Sequence, residues 1–163
     1  MRLRWQLWCG ARSRVCRDRF KGSFLAAYDL KTGAQVWRVE RNEDHSWSTA
    51  TVFRARPGKQ EGDLLVTHSG KFLRGYDPAT GKELRSMAQN DPDPWDRIPS
   101  PVSSGDLIIV TGGNGVRPVY VIRRGARGDI TLKAGERSNA GIGWSTERGA
   151  AYMPTPIVVE EIA

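Results

Sequence analysis

The chain contains the same short pattern twice, 48 residues apart. FLAAYDLKTGAQVWRV (residues 24–39) and FLRGYDPATGKELRSM (residues 72–87) are identical at six of sixteen aligned positions. The shared residues are Phe24/Phe72, Leu25/Leu73, Tyr28/Tyr76, Asp29/Asp77, Thr32/Thr80 and Gly33/Gly81. Similarity at a fixed period of roughly 20 to 50 residues is typical of repeat architectures. The sequence therefore predicts a protein built from successive copies of one structural unit.

Each copy has the chemistry of a β-hairpin. Apolar runs rich in aromatic and β-branched residues flank a polar D-x-x-T-G centre. An Asp carboxylate can accept hydrogen bonds from backbone N–H groups two residues further on, and Gly supplies the positive φ that closes a short turn. We interpret Asp29 and Asp77 as turn-forming residues rather than catalytic ones, because a single active site would not need the same residue in every repeat.

Other parts of the unit recur as well. GDLLV (62–66) reappears as GDLIIV (105–110), and STATV (48–52), PSPVS (99–103) and PTPIV (154–158) follow one another at offsets of 51 and 55 residues. Each unit contains four short strand-like segments, which is typical of a propeller blade. The sequence therefore predicts an all-β fold: a partial β-propeller of about three four-stranded antiparallel blades, with almost no helix.

The length of the chain predicts an incomplete propeller. With 163 residues it has room for about three units, whereas propellers typically close with at least four. We therefore expect further blades, missing from this chain, to be its natural neighbours, and we interpret the chain as an internal piece of a longer propeller. It contains no run of eighteen apolar residues, so no membrane span is expected.

Most of the net charge of +7 lies at the start of the chain. Residues 1–22 hold seven Arg or Lys and one Asp, whereas the other 141 residues hold 18 basic and 17 acidic residues. We therefore divide the chain into a basic N-terminal tail (1–22) and a repeat region (23–163). Arg and Gln interrupt every apolar group of the tail, so no secretory signal peptide is visible. We interpret the tail as non-native sequence; an arginine-rich arm that binds phosphates is the alternative. No nucleic-acid partner is expected.

The first copy fits a more specific pattern, A-x-D-x-x-T-G-x-x-x-W. The matching residues are Ala27, Asp29, Thr32, Gly33 and Trp37. This pattern resembles the tryptophan-docking repeat of pyrroloquinoline-quinone-like (quinoprotein-like) β-propellers. In that family the Trp of one blade packs against the neighbouring blade.

The later copies depart from the docking pattern. The second keeps Asp77, Thr80 and Gly81 but has Gly75 in place of Ala and Arg85 in place of Trp. The third, VYVIRRGARGDITL (119–132), keeps the strand but loses the turn, and it resembles the variant blade of bacterial quinoprotein-like propellers of unassigned function. The full docking pattern is therefore present in the first copy, and the departures of the second copy put docking there in question.

The resemblance implies two functions. The first is a non-catalytic scaffold that binds a partner, expected to be a protein, in the periplasm or cell envelope, as in the barrel-assembly lipoprotein of the bacterial outer membrane that shares these repeats. The alternative is a fragment of a pyrroloquinoline-quinone-dependent dehydrogenase. Those enzymes are known for an adjacent Cys–Cys pair, a calcium ion and an Asp base, none of which can be placed on this sequence. We expect no catalytic residue, no metal and no cofactor here, with the quinone possible only in a full-length parent.

The remaining candidate side chains favour structural roles. His45 has an acid and a Ser beside it in sequence, but a catalytic triad requires such groups to be close in space. His68 is interpreted as a strand-end residue before a turn. Trp47, Trp95 and Trp144 could stack a ligand, although aromatic residues more often fill the space between sheets. The acidic segment NDPDPWD (90–96) is interpreted as a solvated loop, because its two Pro residues disfavour wrapping around an ion.

Overall fold

The computed structural model describes residues 5–10, 23–43, 46–58, 61–89, 97–112 and 115–159, with residues 5–10 described as backbone. Within these residues the protein is all-β, with twelve strands and no helix. The strands are β1 (Trp5–Gly10), β2 (Ser23–Asp29), β3 (Gln35–Arg41), β4 (Thr51–Phe53), β5 (Leu64–His68), β6 (Phe72–Tyr76), β7 (Glu83–Ala88), β8 (Val102–Ser104), β9 (Leu107–Thr111), β10 (Val119–Arg123), β11 (Gly128–Asp129) and β12 (Ile142–Thr146).

The described strands form three sheets. The first has the order β1-β2-β3, the second β4-β5-β6-β7-β11, and the third β8-β9-β10-β12. All pairs are antiparallel except β11, which lies parallel to the outer edge of β7. The described strands of the three sheets thus number three, five and four, and the second sheet departs from the predicted four-stranded antiparallel arrangement. The second sheet gains a strand because the chain between β10 and β12 crosses over to it instead of making a tight turn.

The first sheet includes part of the segment that we set apart as a basic tail. β1 lies within residues 1–22 and pairs antiparallel with β2 over six residues, from Trp5 opposite Asp29 to Gly10 opposite Phe24. The boundary predicted at residue 22 thus does not coincide with the boundary of the sheet.

One irregularity recurs in all three sheets. The strand register shifts by one residue in the pairs β2–β3, β6–β7 and β10–β12, which indicates a β-bulge in each pair. The residue pairs immediately before the shift are Ala27–Trp37, Gly75–Arg85 and Val121–Trp144. These three pairs are therefore equivalent positions of the repeat.

Apolar residues fill both spaces between neighbouring sheets. Alternate side chains of a strand point to opposite faces, and β5 is buried at all five positions because its sheet is covered on both sides. Leu64 and Val66 belong to the larger cluster, shared with the third sheet, whereas Leu65 packs with Leu25 and Tyr76 toward the first. The second sheet thus lies between the other two.

No helix in the described part of the chain is long and apolar enough to cross a membrane.

Candidate functional site

The D-x-x-T-G segment of the first copy is a turn organised around one carboxylate. Asp29 Oδ1 accepts hydrogen bonds from the backbone N–H groups of Lys31 and Thr32, both at 2.9 Å, and from Thr32 Oγ1 at 3.0 Å. The N–H of Gly33 donates to the Asp29 carbonyl at 2.9 Å, with φ of 71° at Gly33. The Thr32 N–H, followed by its hydroxyl, lowers the pKa of the Asp29 carboxyl. The Asp29 carboxylate thus stabilises the turn through hydrogen bonds to the turn residues Lys31 and Thr32.

The second copy repeats this geometry. The Asp77 carboxylate accepts hydrogen bonds from the Ala79 N–H at 2.8 Å and from Thr80 Oγ1 at 2.9 Å. The N–H of Gly81 donates to the Asp77 carbonyl at 2.8 Å, and φ of Gly81 is 74°. The two turns therefore present the same shape to whatever packs against them.

Trp37 connects the first sheet to the turn of the second. Its indole Nε1 donates a hydrogen bond to the Pro78 carbonyl at 3.0 Å. The ring also lies over Gly81, where an added Cβ would be 2.7 Å from Cε3 of Trp37. Trp37 therefore needs both a carbonyl acceptor and a residue without a side chain. We call this contact the first inter-sheet interface.

An ion pair reinforces the same interface. Arg74 on β6 contacts Glu43, which follows β3, with Nε 2.7 Å from Oε1. Burial raises the pKa of the Glu43 carboxyl, and the hydrogen bond from Arg74 opposes this shift. The first interface thus combines an aromatic contact with a buried charge pair.

Arg85 takes the place of Trp37 between the second and third sheets, which we call the second inter-sheet interface. The side chain is buried, and its Nη1 and Nη2 donate to the carbonyls of Arg123 at 3.0 Å and Arg124 at 2.5 Å. Arg124 in turn donates to the Phe53 carbonyl of the second sheet at 3.0 Å. Burial lowers the pKa of Arg85 to about 10, so the guanidinium stays charged at neutral pH. Arg85 thus makes a docking contact at the position that Trp37 occupies in the first copy.

Gly75 explains how the Arg is accommodated. It is the cross-strand partner of Arg85, and a Cβ placed on it would lie 2.9 Å from Cγ of Arg85 and 3.1 Å from Cδ1 of Leu64. In the first copy, Ala27 occupies this position opposite the flat indole of Trp37. The two departures of the second copy from the repeat pattern are thus a single, coupled change.

Trp144 is the third residue at this position; the sequence pointed to it as an aromatic that stacks a ligand or fills space between sheets, and not as the counterpart of Trp37. It pairs with Val121 just before the bulge and is 50% exposed. The pattern D-x-x-T-G-x-x-x-W places the Trp eight residues after the Asp, whereas the excursion through β11 separates β10 from β12 here. The equivalence could be recognised only from strand pairing.

The segments preceding the first strand of each repeat lie side by side. The N–H of Thr49 donates to Ser100 Oγ at 3.1 Å, and the N–H of Ser100 donates to Thr155 Oγ1 at 3.1 Å. These bonds join residues 51 and 55 positions apart, the same offsets that relate STATV, PSPVS and PTPIV. We call residues 46–50, 97–101 and 152–156 the inner segments.

Three apolar side chains occupy one equivalent position on the inner segments. They are Trp47, Ile98 and Met153; Trp47 and Met153 are exposed and Ile98 is partly buried. The N–H of Trp47 donates to the carbonyl of Arg97 at 3.0 Å, which holds the first two segments in register. The inner segments thus present neighbouring apolar groups to solvent.

His68 ends β5 in a buried polar cluster. Its Nε2 donates to Oε1 of Gln89 at 3.1 Å, and Nε2 of Gln89 donates to the Ser69 carbonyl at 2.7 Å. Burial lowers the pKa of His68 to about 4, so the ring is neutral at physiological pH. Ser46 Oγ lies 2.5 Å from the carbonyl of His68 rather than beside its ring. Among the residues that the structure describes, the imidazole thus bonds to an amide oxygen rather than to a hydroxyl.

In the described part of the chain, no three His, Cys, Asp or Glu side chains are grouped so that they could hold a metal ion. His45, Trp95 and the acidic segment 90–96 lie outside the described residues.

Comparison with known protein families and with curated proteins finds no match to this sequence.

Proposed function

We propose that this chain is a set of blades of a quinoprotein-like β-propeller and that it serves as a non-catalytic scaffold for a protein partner in the cell envelope. The observation that carries the proposal is the pair of inter-sheet interfaces, in which equivalent side chains of successive sheets dock on backbone carbonyls of the next sheet. Contacts that repeat from sheet to sheet are the basis of repeat architectures, in which each unit packs on its neighbours.

The inner segments support the propeller arrangement. Their hydrogen bonds from Thr49 to Ser100 and from Ser100 to Thr155 follow the repeat. In a propeller, the first strand of every blade lines the central channel, so equivalent residues of successive blades come together there. The inner segments lead directly into these first strands, so they belong to the channel side of the proposed fold.

The same segments offer the surface that a protein partner would contact. Trp47 and Met153 are large, exposed apolar residues at equivalent positions. Aromatic residues and Met are enriched in protein interfaces, where rigid or adaptable apolar surface is removed from water. The binding face that we propose thus lies on the channel side, at the ends of the inner segments.

Site-specific photo-crosslinking tests this face. A photoreactive amino acid replaces Trp47 in one variant and Glu136, an exposed turn residue on a different segment, in the control. We expect one identified envelope protein to be crosslinked at position 47 and not at position 136. Equal labelling at both positions would contradict a binding face on the inner segments.

Addition of pyrroloquinoline quinone and calcium tests the dehydrogenase alternative. Trp fluorescence reports binding, and reduction of a dye by simple alcohols reports turnover. We expect neither response. Saturable quenching with turnover would replace the scaffold by a quinoprotein dehydrogenase.

A further inference from the structure

Trp144 occupies the position of the docking side chains Trp37 and Arg85, but its own side chain is exposed to solvent. Trp37 and Arg85, at the equivalent positions, both donate to carbonyls of a neighbouring sheet. Trp144 is 50% exposed, and no sheet covers it within the described residues. An exposed indole at this position offers an N–H donor and an apolar face, the two features through which Trp37 contacts the turn at residues 77–81.

The turn at residues 29–33 is such a receiving site. It shares two carboxylate hydrogen bonds with the turn that receives Trp37, from the backbone N–H two residues after the Asp and from the Thr hydroxyl, with φ of 71° at Gly33 and 74° at Gly81. A Cβ at Gly81 would collide with Trp37, whereas a Cβ at Gly33 would meet nothing within 4 Å. Within the described ranges, the third sheet therefore carries a docking Trp, and the first sheet a docking turn, that no other residue covers.

A second pair of complementary surfaces consists of residues 157–159 and the edge of the first sheet at β1. Residues 157–159, Ile-Val-Val, are equivalent to β4 and β8 by the offsets of the inner segments, and their composition strongly favours a strand. Ile157 is nevertheless 85% exposed, and among the described residues no strand pairs with this segment. The first sheet begins at β1 and has no described strand in the place that β4 and β8 occupy in the other sheets.

We propose that a second copy of this chain covers these surfaces. The turn at residues 29–33 of one copy receives Trp144 of the other, and residues 157–159 of one copy extend the first sheet of the other beside β1. The contact is head-to-tail, and it closes when each copy gives and receives once. Two copies bring together six described sheets, within the four to eight blades of known propellers.

This inference rests on the blade arrangement proposed above and extends it from contacts within the chain to contacts between chains. The occupant is a second copy rather than an unrelated protein, because both halves of the interface are present on one chain and reproduce an interface already formed inside it. Exposed strand edges and apolar β-branched residues are also surfaces that natural proteins normally cover.

Light scattering after gel filtration, over a concentration series, measures the association. We expect the full chain to be a dimer, and Trp144→Ala to raise its dissociation constant by at least ~30-fold, the usual effect of losing an interface hot spot. Leu107→Ala is the control, because Leu107 is also an exposed apolar residue of the third sheet but lies on β9 rather than at the docking position. A monomeric wild-type protein would overturn the proposal, as would equal effects of the two substitutions.

The receiving turn is tested by Gly33→Asn, because Asn tolerates positive φ but adds a side chain where Trp144 would lie. Gly58→Asn is the matched control, since Gly58 has φ of 75° and equally open surroundings. We expect Gly33→Asn to be monomeric and Gly58→Asn to be dimeric. If both variants associate equally, residues 29–33 are not the receiving site.

A mixture of the two variants distinguishes the loss of a head-to-tail contact from a general loss of folding. A mixture of Trp144→Ala and Gly33→Asn contains one intact pair, Trp144 of the second variant with Gly33 of the first. We expect heterodimers in the mixture although each variant alone is monomeric. No heterodimer would overturn the proposal. If the monomers keep a β-sheet circular dichroism spectrum and fluorescence of docked Trp37, the blade arrangement stands independently of the association.

Discussion

The first and second inter-sheet interfaces place chemically different side chains at one backbone position. Trp37 contributes an aromatic face and one N–H, and it lies over a Gly. Arg85 contributes a buried charge with two N–H donors to two carbonyls, and a Gly lies opposite it on its own sheet. What is common to the two is the acceptor, a backbone carbonyl of the next sheet. The comparison teaches that the repeat preserves a backbone docking geometry and not a residue type.

The largest effect is expected at the second interface. Arg85→Ala removes the donors to two carbonyls in the interior, Arg123 O and Arg124 O, and leaves a cavity. Each hydrogen bond lost from the charged guanidinium contributes ~1.5–3 kcal/mol, so we expect the free energy of unfolding to fall by about 4 kcal/mol, although Arg123 O keeps its hydrogen bond from the Ala126 N–H. Urea unfolding measures this loss. Arg38→Ala, at an exposed Arg paired with Glu40, should change stability by less than ~1 kcal/mol; a similar small loss at Arg85 would mean that its hydrogen bonds do not join the sheets.

Trp37→Ala should have the next largest effect. The ring is only partly buried, so we expect a loss of about 3 kcal/mol, the lower end for truncating a large aromatic residue. Urea unfolding of this variant and of Trp47→Ala, which removes an exposed Trp, gives the comparison. No difference between these two variants would show that Trp37 is not docked and would remove the parallel between the interfaces.

Acid should lower stability through His68, which belongs to neither docking contact. Burial lowers its pKa from 6.5 to about 4, so the unfolded chain binds a proton below pH 6.5 while the folded protein does not. The free energy of unfolding should therefore fall between pH 6.5 and 4 by about 3 kcal/mol and level off below. Unfolding curves measured across this range give the slope.

The control for the acid effect is His68→Asn, which cannot titrate. Burial raises the pKa of Glu43, which acts in the opposite direction in the same range, so the wild-type curve is compared with that of the variant. Arg85→Ala should keep the wild-type slope and His68→Asn should lose part of it. Equal slopes for wild type and His68→Asn would contradict the buried, neutral His68.

The coupling between Gly75 and Arg85 gives the smallest predicted effect. Gly75→Ala should lower the free energy of unfolding by about 2 kcal/mol because its Cβ would crowd Arg85. The same substitution in an Arg85→Ala background should cost less, with a coupling energy of ~1 kcal/mol in a double-mutant cycle. Additive losses would show that the two departures of the second copy are independent.

The sequence predicted those features that local chemistry determines. The repeated D-x-x-T-G pattern contains both the carboxylate and the Gly that its turn needs, so Asp29 and Asp77 could be interpreted from sequence alone. The offsets of STATV, PSPVS and PTPIV indicated the repeat, and the same offsets relate the hydrogen-bonded inner segments. The all-β fold follows from the same strand and turn signals.

Features that depend on strand pairing were not predictable. Arg85 looked like the loss of a docking residue, because the carbonyls that it reaches belong to a different repeat and carry no side-chain signature. Trp144 was not recognised as the equivalent of Trp37 because the chain passes through β11 between Trp144 and its strand partner Val121. β1 lies in a segment whose charge resembles a tail, yet its backbone hydrogen bonds do not depend on that charge.

The most direct test of equivalent docking is a nuclear Overhauser spectrum of the isotopically labelled protein. The account predicts cross-peaks between the indole protons of Trp37 and the α-protons of Gly81, since a Cβ at Gly81 would lie 2.7 Å from the ring. It also predicts that the side-chain N–H protons of Arg85 are close to residues 123 and 124. Absence of both sets of cross-peaks in a folded sample would contradict the central claim that successive sheets dock through one repeated backbone position.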